Sequence, residues 1–177
     1  MTNIGKIDDF GTLIEPATLK IQRLLPGPIE RVWSYLTEDE FLSRWLASAG
    51  MELKVGAPFE FVWRNDTLTN PPGNKPAGFG GEHRMQSKIT ALEPLRRLAF
   101  TWDGSGDVSF ELEPSGDQVL LTIIHRRLAD RSNLLSVSAG WHAHIDILTG
   151  RISGIEPEPF WNNWARLKDA YGRKIPA

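Results

Sequence analysis

The sequence contains no cysteine. This absence excludes disulfide bonds, thiolate metal sites and a cysteine nucleophile. The first residues contain acidic side chains and lack the apolar segment of a secretory signal. No apolar run approaches the roughly 20 residues that a membrane-spanning helix needs. We therefore predict a cytoplasmic protein without a membrane span.

Clustered positive charge is also missing. Twenty lysines and arginines stand against 22 acidic residues, which gives a net charge of −2. The adjacent arginines at Arg96-Arg97 and Arg126-Arg127 are isolated pairs, whereas nucleic-acid binding requires basic residues gathered on one surface. We therefore predict no nucleic-acid partner.

Signatures of common catalytic and cofactor sites are absent as well. The sequence has no GxSxG nucleophile motif, phosphate-binding loop, HExxH zinc motif or dinucleotide fingerprint. We therefore predict no bound cofactor, and catalysis is not required by any motif. An enzyme nevertheless remains one of the alternatives considered below.

The composition is that of a globular domain. Of the 177 residues, 41% are hydrophobic and 24% are charged, which are ordinary values for a folded domain. No low-complexity linker or internal repeat divides the chain. Residues 1–16 have no clear period, so we predict an amino-terminal leader over 1–16 and one domain over 17–177.

Two-residue periodicity predicts an antiparallel sheet of about six strands. Apolar and polar residues alternate over 18–24, 59–63, 97–102 and 108–112, as expected when one face of a sheet is buried. The segment 85–92 has a mixed phase that indicates a β-bulge. The segment 118–127 is apolar in both phases, which indicates a strand covered on both faces and raises the possibility of a homodimer.

Helical periodicity predicts four helices. Two short helices follow the first strand, and Thr37 with Glu40 has the spacing of a capping box for the second. A long helix is predicted after Asp130, with one apolar stripe along about five turns and Gly154 at its end. An additional amphipathic helix follows Pro159. The fold class is therefore α+β.

The segment His142-Ala143-His144-Ile145-Asp146 contains three side chains that bind metals. On a strand they would share one face, but on a helix His144 points away from His142 and Asp146. Because the surrounding period is helical, we predict no metal site. We expect instead a hydrogen bond between His142 and Asp146 on the helix surface.

Three other polar residues fall in phase with predicted core positions or at a strand end. His125 ends an apolar strand, and His83 begins another. A histidine on an apolar face is more often a core residue with satisfied hydrogen bonds than a ligand or base. Arg23 shares the phase of the first strand's apolar residues, so it either contacts an anionic ligand group at the edge of a groove or extends to solvent.

The main candidate site is a set of aromatic and aliphatic residues. If the sheet curls away from the long helix, these residues border an apolar pocket; if the two layers close, they are core. The long Pro- and Gly-rich segment 64–82 would contribute Phe79 to such a pocket, or would be a flexible hairpin tip. The predicted ligand-binding residues are Phe59, Phe61, Trp63, Phe79, Phe100, Trp102, Phe110, His125, Trp141, Ile145 and Leu148, with Arg23 and His83 as possible polar residues at the edge.

Several motifs in this order resemble a known family. The segments PIERVW, LTEDEFLSRWL, PLRRLAFTW, LTIIHRRL, GWHAHIDIL and EPFWNNW are similar to the bacterial branch of the family named for the activator of the ninety-kilodalton heat-shock chaperone's ATPase. That branch belongs to the START and birch-pollen-allergen superfamily, also called SRPBCC. The resemblance covers about residues 17–172.

The resemblance implies a helix-grip fold, in which a curled antiparallel sheet surrounds a long C-terminal helix. It also implies three alternative functions. The first is non-enzymatic binding of a small hydrophobic molecule in the groove. The second is contact with a chaperone or another protein, and the third is cyclase- or hydrolase-type catalysis by His125, His83 or Arg23.

Overall fold

Seven antiparallel strands form one open sheet in the order β1-β2-β7-β6-β5-β4-β3. The computed structural model describes residues 8–102 and 106–175. Its strands and helices, in chain order, are β1 (Thr12–Glu15), β2 (Thr18–Pro26), α1 (Ile29–Thr37), α2 (Asp39–Leu42), β3 (Pro58–Trp63), β4 (His83–Glu93), β5 (Arg97–Trp102), β6 (Gly106–Ser115), β7 (Gln118–Arg126), α3 (Arg131–Ser153) and α4 (Phe160–Lys174), with a 3-10 turn at Asn65–Thr67 between β3 and β4. The predicted α+β helix-grip architecture is confirmed.

The sheet has one strand more than the six that we predicted. β1 lies within the predicted leader and pairs with β2 at the sheet edge. Just before it, the Gly11 amide donates to the Tyr171 hydroxyl at 2.7 Å, which links this segment to α4. The remainder of the predicted leader, residues 1–7, lies outside the described residues. The predicted bulge is confirmed by a register shift between Ile89 and Ala91 in the β4–β5 pairing.

The predicted capping box at Thr37 is wrong. α2 begins after Glu38, and no side chain caps its first turn. Thr37 is the last residue of α1, and its hydroxyl donates to the Trp33 carbonyl oxygen at 2.9 Å. A threonine in a helical conformation commonly bonds back to the carbonyl four residues earlier, so its hydroxyl is not used for the next helix.

The long helix α3 is the centre of the fold. The Asp130 side chain accepts a hydrogen bond from the Asn133 amide, and Gly154 ends the helix at φ +72°, a left-handed conformation that favours glycine. The predicted apolar stripe is buried. α3 is covered by the sheet on one side and by α4 on the other, so most of its side chains are inaccessible to solvent. No helix among the described residues is long and apolar enough to cross a membrane.

The outer face of β7 explains its apolarity in both phases. Leu120 is buried and Ile124 is half-buried on that face, where they lie in a shallow depression beside the long polar side chains of Lys20, Gln22 and Arg96. Such side chains cover apolar surface with their aliphatic portions. The apolar pattern therefore does not require a partner subunit, and a homodimer stays a prediction.

Candidate ligand-binding cleft

The predicted aromatic set divides into a packed group and a group that borders open space. The packed group lies between the sheet and α3, where its members are buried and their rings touch. Phe61 and Phe100 have ring centroids 5.1 Å apart, and Phe100 and Phe110 are 5.3 Å apart. This group fills the hydrophobic core and leaves no room for a ligand; its members are Phe59, Phe61, Phe100, Phe110, Ile145 and Leu148.

The second group surrounds a cleft of about 440 Å³. Trp63 and Trp102 stand at the ends of β3 and β5, and Trp141 faces them from α3. Trp102 is 5.4 Å from Trp63 and 5.5 Å from Trp141 between ring centroids. Trp102 is half-buried, and Trp63 and Trp141 are 7% and 3% exposed, so most of each indole is packed and the remainder borders this space. We call this space the aromatic cleft.

The segment 64–82 forms the outer wall of the aromatic cleft. Its first half is fastened to α4: the Trp161 indole donates to the Asp66 carboxylate at 2.8 Å, and the Phe160 amide donates to the Thr69 hydroxyl at 2.9 Å. Its second half, residues 78–82, borders the cleft directly. The segment therefore borders the cleft, and its role as a binding loop stays a prediction.

Phe79 holds the glycine-rich part of this wall. Its ring lies 5.0 Å from Trp161 and 5.2 Å from Trp164, between centroids, yet the residue is 45% exposed. Gly78 has φ +93°, which a residue with a side chain rarely adopts. The Phe79 contacts therefore position a backbone segment that otherwise has few side chains to anchor it.

The two histidines predicted to be near the ligand, His83 and His125, lie in different environments. His83 is exposed and lies at the cleft, with its ring 5.5 Å from Trp63. His125 is buried behind the cleft wall, where its Nδ1 accepts a hydrogen bond from the Trp141 indole at 3.0 Å. Burial lowers the pKa of His125 to about 4. It is a core histidine whose Nδ1 is hydrogen-bonded, and it does not line the cleft.

Arg23 lies away from the aromatic cleft. Its guanidinium is buried and donates to the Asp146 carboxylate at 2.9 Å and to the Asp9 carbonyl oxygen at 2.9 Å. It lines a separate depression next to α4. The prediction that Arg23 stands at the edge of the ligand groove is therefore not met. Its charge is paired with the carboxylates of Asp146, at 2.9 Å, and Asp9, at 3.3 Å.

The His142–Asp146 contact is neither at the surface nor a hydrogen bond. His142 Nε2 is 3.7 Å from the Asp146 carboxylate, and His142 is 5% exposed because α4 covers this side of α3. Its Nδ1 instead forms a hydrogen bond of 3.0 Å with the Tyr171 hydroxyl. His144 points elsewhere, and no cluster of three potential metal ligands occurs within residues 8–102 and 106–175.

His144 is the functional candidate that our reading of the sequence missed. It lines the aromatic cleft together with Val137, Gly140 and Trp141. These four residues follow the spacing i, i+3, i+4 and i+7, which places them on one face of a helix. Extending the predicted stripe of Trp141 to this adjacent face would have identified them. The cleft is completed by Leu46, Asn65 and Trp161.

The environment of His144 is apolar and closed on most sides. Its Nδ1 lies 2.8 Å from the Trp45 carbonyl oxygen, and its ring lies 4.8 Å from Phe160. Burial lowers the pKa of His144 to about 4, despite the opposing effect of its hydrogen bond to Trp45. The imidazole is therefore neutral at pH 7.

Solved structures share this architecture over nearly the whole chain. The protein encoded by BPP1335 of Bordetella parapertussis is 35% identical, with a TM-score of 0.79 over 100% of this chain and 97% of that one. CalU16 of Micromonospora echinospora is 22% identical, with a TM-score of 0.67 over 90% and 89% of the two chains. EF2215 of Enterococcus faecalis, a conserved protein of unknown function, is 20% identical, with a TM-score of 0.70 over 93% and 90%.

The two more distant similarities establish the fold alone. In a comparison with curated protein sequences, none matches the chain significantly. The family model described as activator of Hsp90 ATPase homolog 1-like protein matches residues 26–152, which is more than half of the chain and includes most of the cleft. The chain therefore belongs to the family of activator of Hsp90 ATPase homolog 1-like proteins and has its helix-grip fold.

Proposed function

We propose that the protein binds a small, mostly apolar aromatic molecule in the aromatic cleft. The observation that carries this proposal is the cleft of about 440 Å³ bordered by Trp63, Trp102 and Trp141. Small-molecule sites usually measure about 300–1,000 Å³ and are lined mainly by apolar and aromatic side chains. An engineered apolar cavity of about 150 Å³ binds benzene, so this cleft has room for two or three fused rings.

The indoles favour a flat ligand. Adjacent aromatic rings are attracted in tilted or edge-to-face arrangements at centroid separations of about 4.5–7 Å. Trp102 is tilted by 66° from Trp63 and by 48° from Trp141, so an inserted ring meets both ring faces and ring edges. The wall formed by Phe79 and its neighbouring glycines limits the cleft on the solvent side.

The enzyme alternative receives little support from the geometry. Its candidate residues are His125, His83 and Arg23, and it needs two polar groups that converge on one point of a cavity. His125 is engaged with Trp141 and Arg23 with Asp146, and of the three only His83 borders the cleft. Contact with a chaperone stays a prediction that the family description suggests, and co-purification with the host's ninety-kilodalton chaperone followed by an ATPase assay tests it.

Titration with 2-methoxynaphthalene, followed by tryptophan fluorescence, tests the proposed function. We expect saturable binding of one molecule per chain. The blocking variant is Gly140→Leu, because Gly140 lines the cleft and the nearest atom to a Cβ built there is the Trp164 indole nitrogen, at 4.0 Å. A Cβ at Gly140 is therefore accommodated, and we expect the larger leucine side chain to occupy part of the cleft.

Gly172→Leu is the matched control. Gly172 also lies within a helix and has a single neighbour, Leu135 Cδ1, at 4.0 Å from a Cβ built there, but it is not part of the cleft. We expect Gly140→Leu to abolish binding and Gly172→Leu to retain it. Failure of the wild-type protein to bind 2-methoxynaphthalene and similar two-ring aromatic compounds would refute the proposed function, as would equal binding by the two variants.

A further inference from the structure

The hydrogen bond to Trp45 determines the tautomer of His144. Nδ1 lies 2.8 Å from the Trp45 carbonyl oxygen, and a carbonyl oxygen can only accept. Nδ1 therefore carries the proton. A neutral imidazole has one N–H group, so Nε2 presents a lone pair and acts only as an acceptor.

This acceptor has no partner in the described part of the chain. The hydrogen bond of His144 within residues 8–102 and 106–175 is the one made by Nδ1. The residue is 6% exposed, and the space that it borders is the aromatic cleft. Nε2 is not among the described buried side-chain atoms that lack a hydrogen-bond partner, so it keeps surface that a molecule in the cleft can reach. An unused acceptor at an apolar cleft therefore points to a ligand with a donor group.

We infer that the aromatic cleft selects ligands with a hydroxyl group on the aromatic ring, and that this hydroxyl donates a hydrogen bond to His144 Nε2. This inference rests on the proposed binding function. Phenols and naphthols combine an apolar ring with one strong donor, which the unpartnered Nε2 of His144 can accept. Asn65 Oδ1, a buried atom without a hydrogen-bond partner among the described residues, is a second acceptor in the lining of the cleft. His144 is a specificity-determining residue in this account.

The same lone pair disfavours two other ligand classes. A deprotonated carboxylate has only acceptors, so a fatty-acid head group next to His144 would lose its hydration without gaining a hydrogen bond. An aromatic ether or hydrocarbon can fill the cleft but leaves Nε2 unsatisfied. The hydroxyl is therefore the group that distinguishes the preferred ligands.

The test compares 2-naphthol with 2-methoxynaphthalene, which has the same rings but no donor. If the hydroxyl had no partner in the cleft, 2-naphthol should bind more weakly than 2-methoxynaphthalene, because its hydroxyl loses hydrogen bonds to water. With His144 as acceptor, we expect 2-naphthol to bind about three- to tenfold more tightly, the range for one buried hydrogen bond. The nitrogen-15 resonance of His144 Nε2 should shift upfield with 2-naphthol and not with 2-methoxynaphthalene.

Two variants separate the two nitrogen atoms of His144. In His144→Asn, the side-chain amide takes the place of Nδ1 and can donate to Trp45, but nothing replaces Nε2. In His144→Gln, the longer amide places an oxygen near the position of Nε2, and the bond to Trp45 is lost. We expect the preference for 2-naphthol to disappear in His144→Asn and to persist in His144→Gln.

The outcomes are distinguishable. If neither naphthalene binds the wild-type protein, the proposed function fails and this inference fails with it. If both bind equally, or if His144→Asn keeps the wild-type preference, the inference about His144 is overturned while ligand binding stands. Loss of the preference in His144→Asn, together with the nitrogen-15 shift in the wild type, supports it.

Discussion

The Trp141 indole donates a hydrogen bond of 3.0 Å to His125 Nδ1. This bond connects α3 to β7 directly behind the aromatic cleft. It fixes the orientation of one of the three indoles that form the cleft wall, and it keeps the proton of the neutral His125 on Nε2. The same buried contact therefore affects both the shape of the cleft and the pH dependence of folding.

We expect the free energy of unfolding to decrease as the pH falls from about 6.5 to about 4. Burial lowers the pKa of His125 and His144 from 6.5 to about 4. Between these values the unfolded chain binds protons that the folded chain does not, so protonation favours unfolding. Relative to pH 7.5, each histidine should remove about 2 kcal/mol at pH 5. Urea denaturation at a series of pH values measures this.

The variant His125→Asn isolates the contribution of one histidine. Its side-chain oxygen can accept from the Trp141 indole, but the amide does not titrate. We expect its stability at pH 7.5 to be lower than that of the wild type, because a smaller side chain leaves a void. Its pH dependence should be shallower between pH 6.5 and 4. Parallel curves for the two proteins would show that His125 does not contribute.

Asp146→Asn should destabilise the fold by about 2 kcal/mol. The Arg23 side chain is 7% exposed, and its main charged partner is the Asp146 carboxylate at 2.9 Å. Removal of one partner of a buried ion pair leaves a less well compensated charge. The remaining Asp9 carboxylate, 3.3 Å from the Arg23 guanidinium, and the 36% exposure of Asp146 reduce the effect. Urea denaturation measures the change. The control is Asp169→Asn, which removes an exposed pair with Arg173 and should change stability by less than about 0.5 kcal/mol.

Arg23→Met should leave ligand binding unchanged even though it lowers stability. Arg23 lies in a depression separate from the aromatic cleft, so its loss removes no ligand contact. The affinity for 2-methoxynaphthalene, measured at a temperature where the variant is folded, should equal that of the wild type. A selective loss of affinity would restore Arg23 as a ligand-binding residue.

Phe79→Ala should weaken ligand binding and modestly lower the free energy of unfolding. The ring contacts with Trp161 and Trp164 hold the outer wall of the cleft, and pairs of aromatic rings contribute about 0.5–1.5 kcal/mol each. We expect an affinity loss of roughly threefold to tenfold, with a faster dissociation rate in stopped-flow fluorescence. Ile155→Ala, at an exposed apolar residue outside the cleft, should change neither quantity.

Gly140→Ala should stabilise the protein by about 0.5–1 kcal/mol. Glycine within a helix is less favourable than alanine by about this amount, and a Cβ at Gly140 meets no atom closer than 4.0 Å. Gly172→Ala should give a similar gain in thermal denaturation. We expect the Gly140→Ala and Gly172→Ala variants to differ in ligand affinity, because only the methyl group at position 140 narrows the cleft. Equal affinities would indicate that Gly140 does not limit ligand size.

Much of the fold could be predicted from local periodicity. Alternation of apolar residues identified four of the strands, and two further apolar segments without regular alternation identified β4 and β7. The helical stripe from Leu134 to Ile152 identified α3 and its end at Gly154. These patterns are visible because each strand or helix buries one face regardless of its partner. β1 was missed, since its four residues are exposed at the sheet edge and carry no burial pattern.

The division of the aromatic residues was decided by tertiary structure. Phe61 and Trp63 have the same phase on β3, as Phe100 and Trp102 have on β5, so periodicity treats them alike. All four rings pack in or against the same core, but only the two tryptophans, which end their strands, also border the cleft. Which core residues border the cleft depends on where each strand ends and on what packs next to it, which no local pattern records.

The polar partners were also determined by tertiary structure. Arg23 and Asp146 are far apart in sequence, as are His144 and Trp45, and each pair meets only when α3 is packed in the fold. The sequence alone determined the α+β class, the helices and the apolar faces, because hydrophobic burial acts on neighbouring residues at regular spacing. The cleft, the tautomer of His144 and the neutralisation of Arg23 were decided only by the folded structure, because hydrogen bonds and ion pairs depend on distances between distant segments.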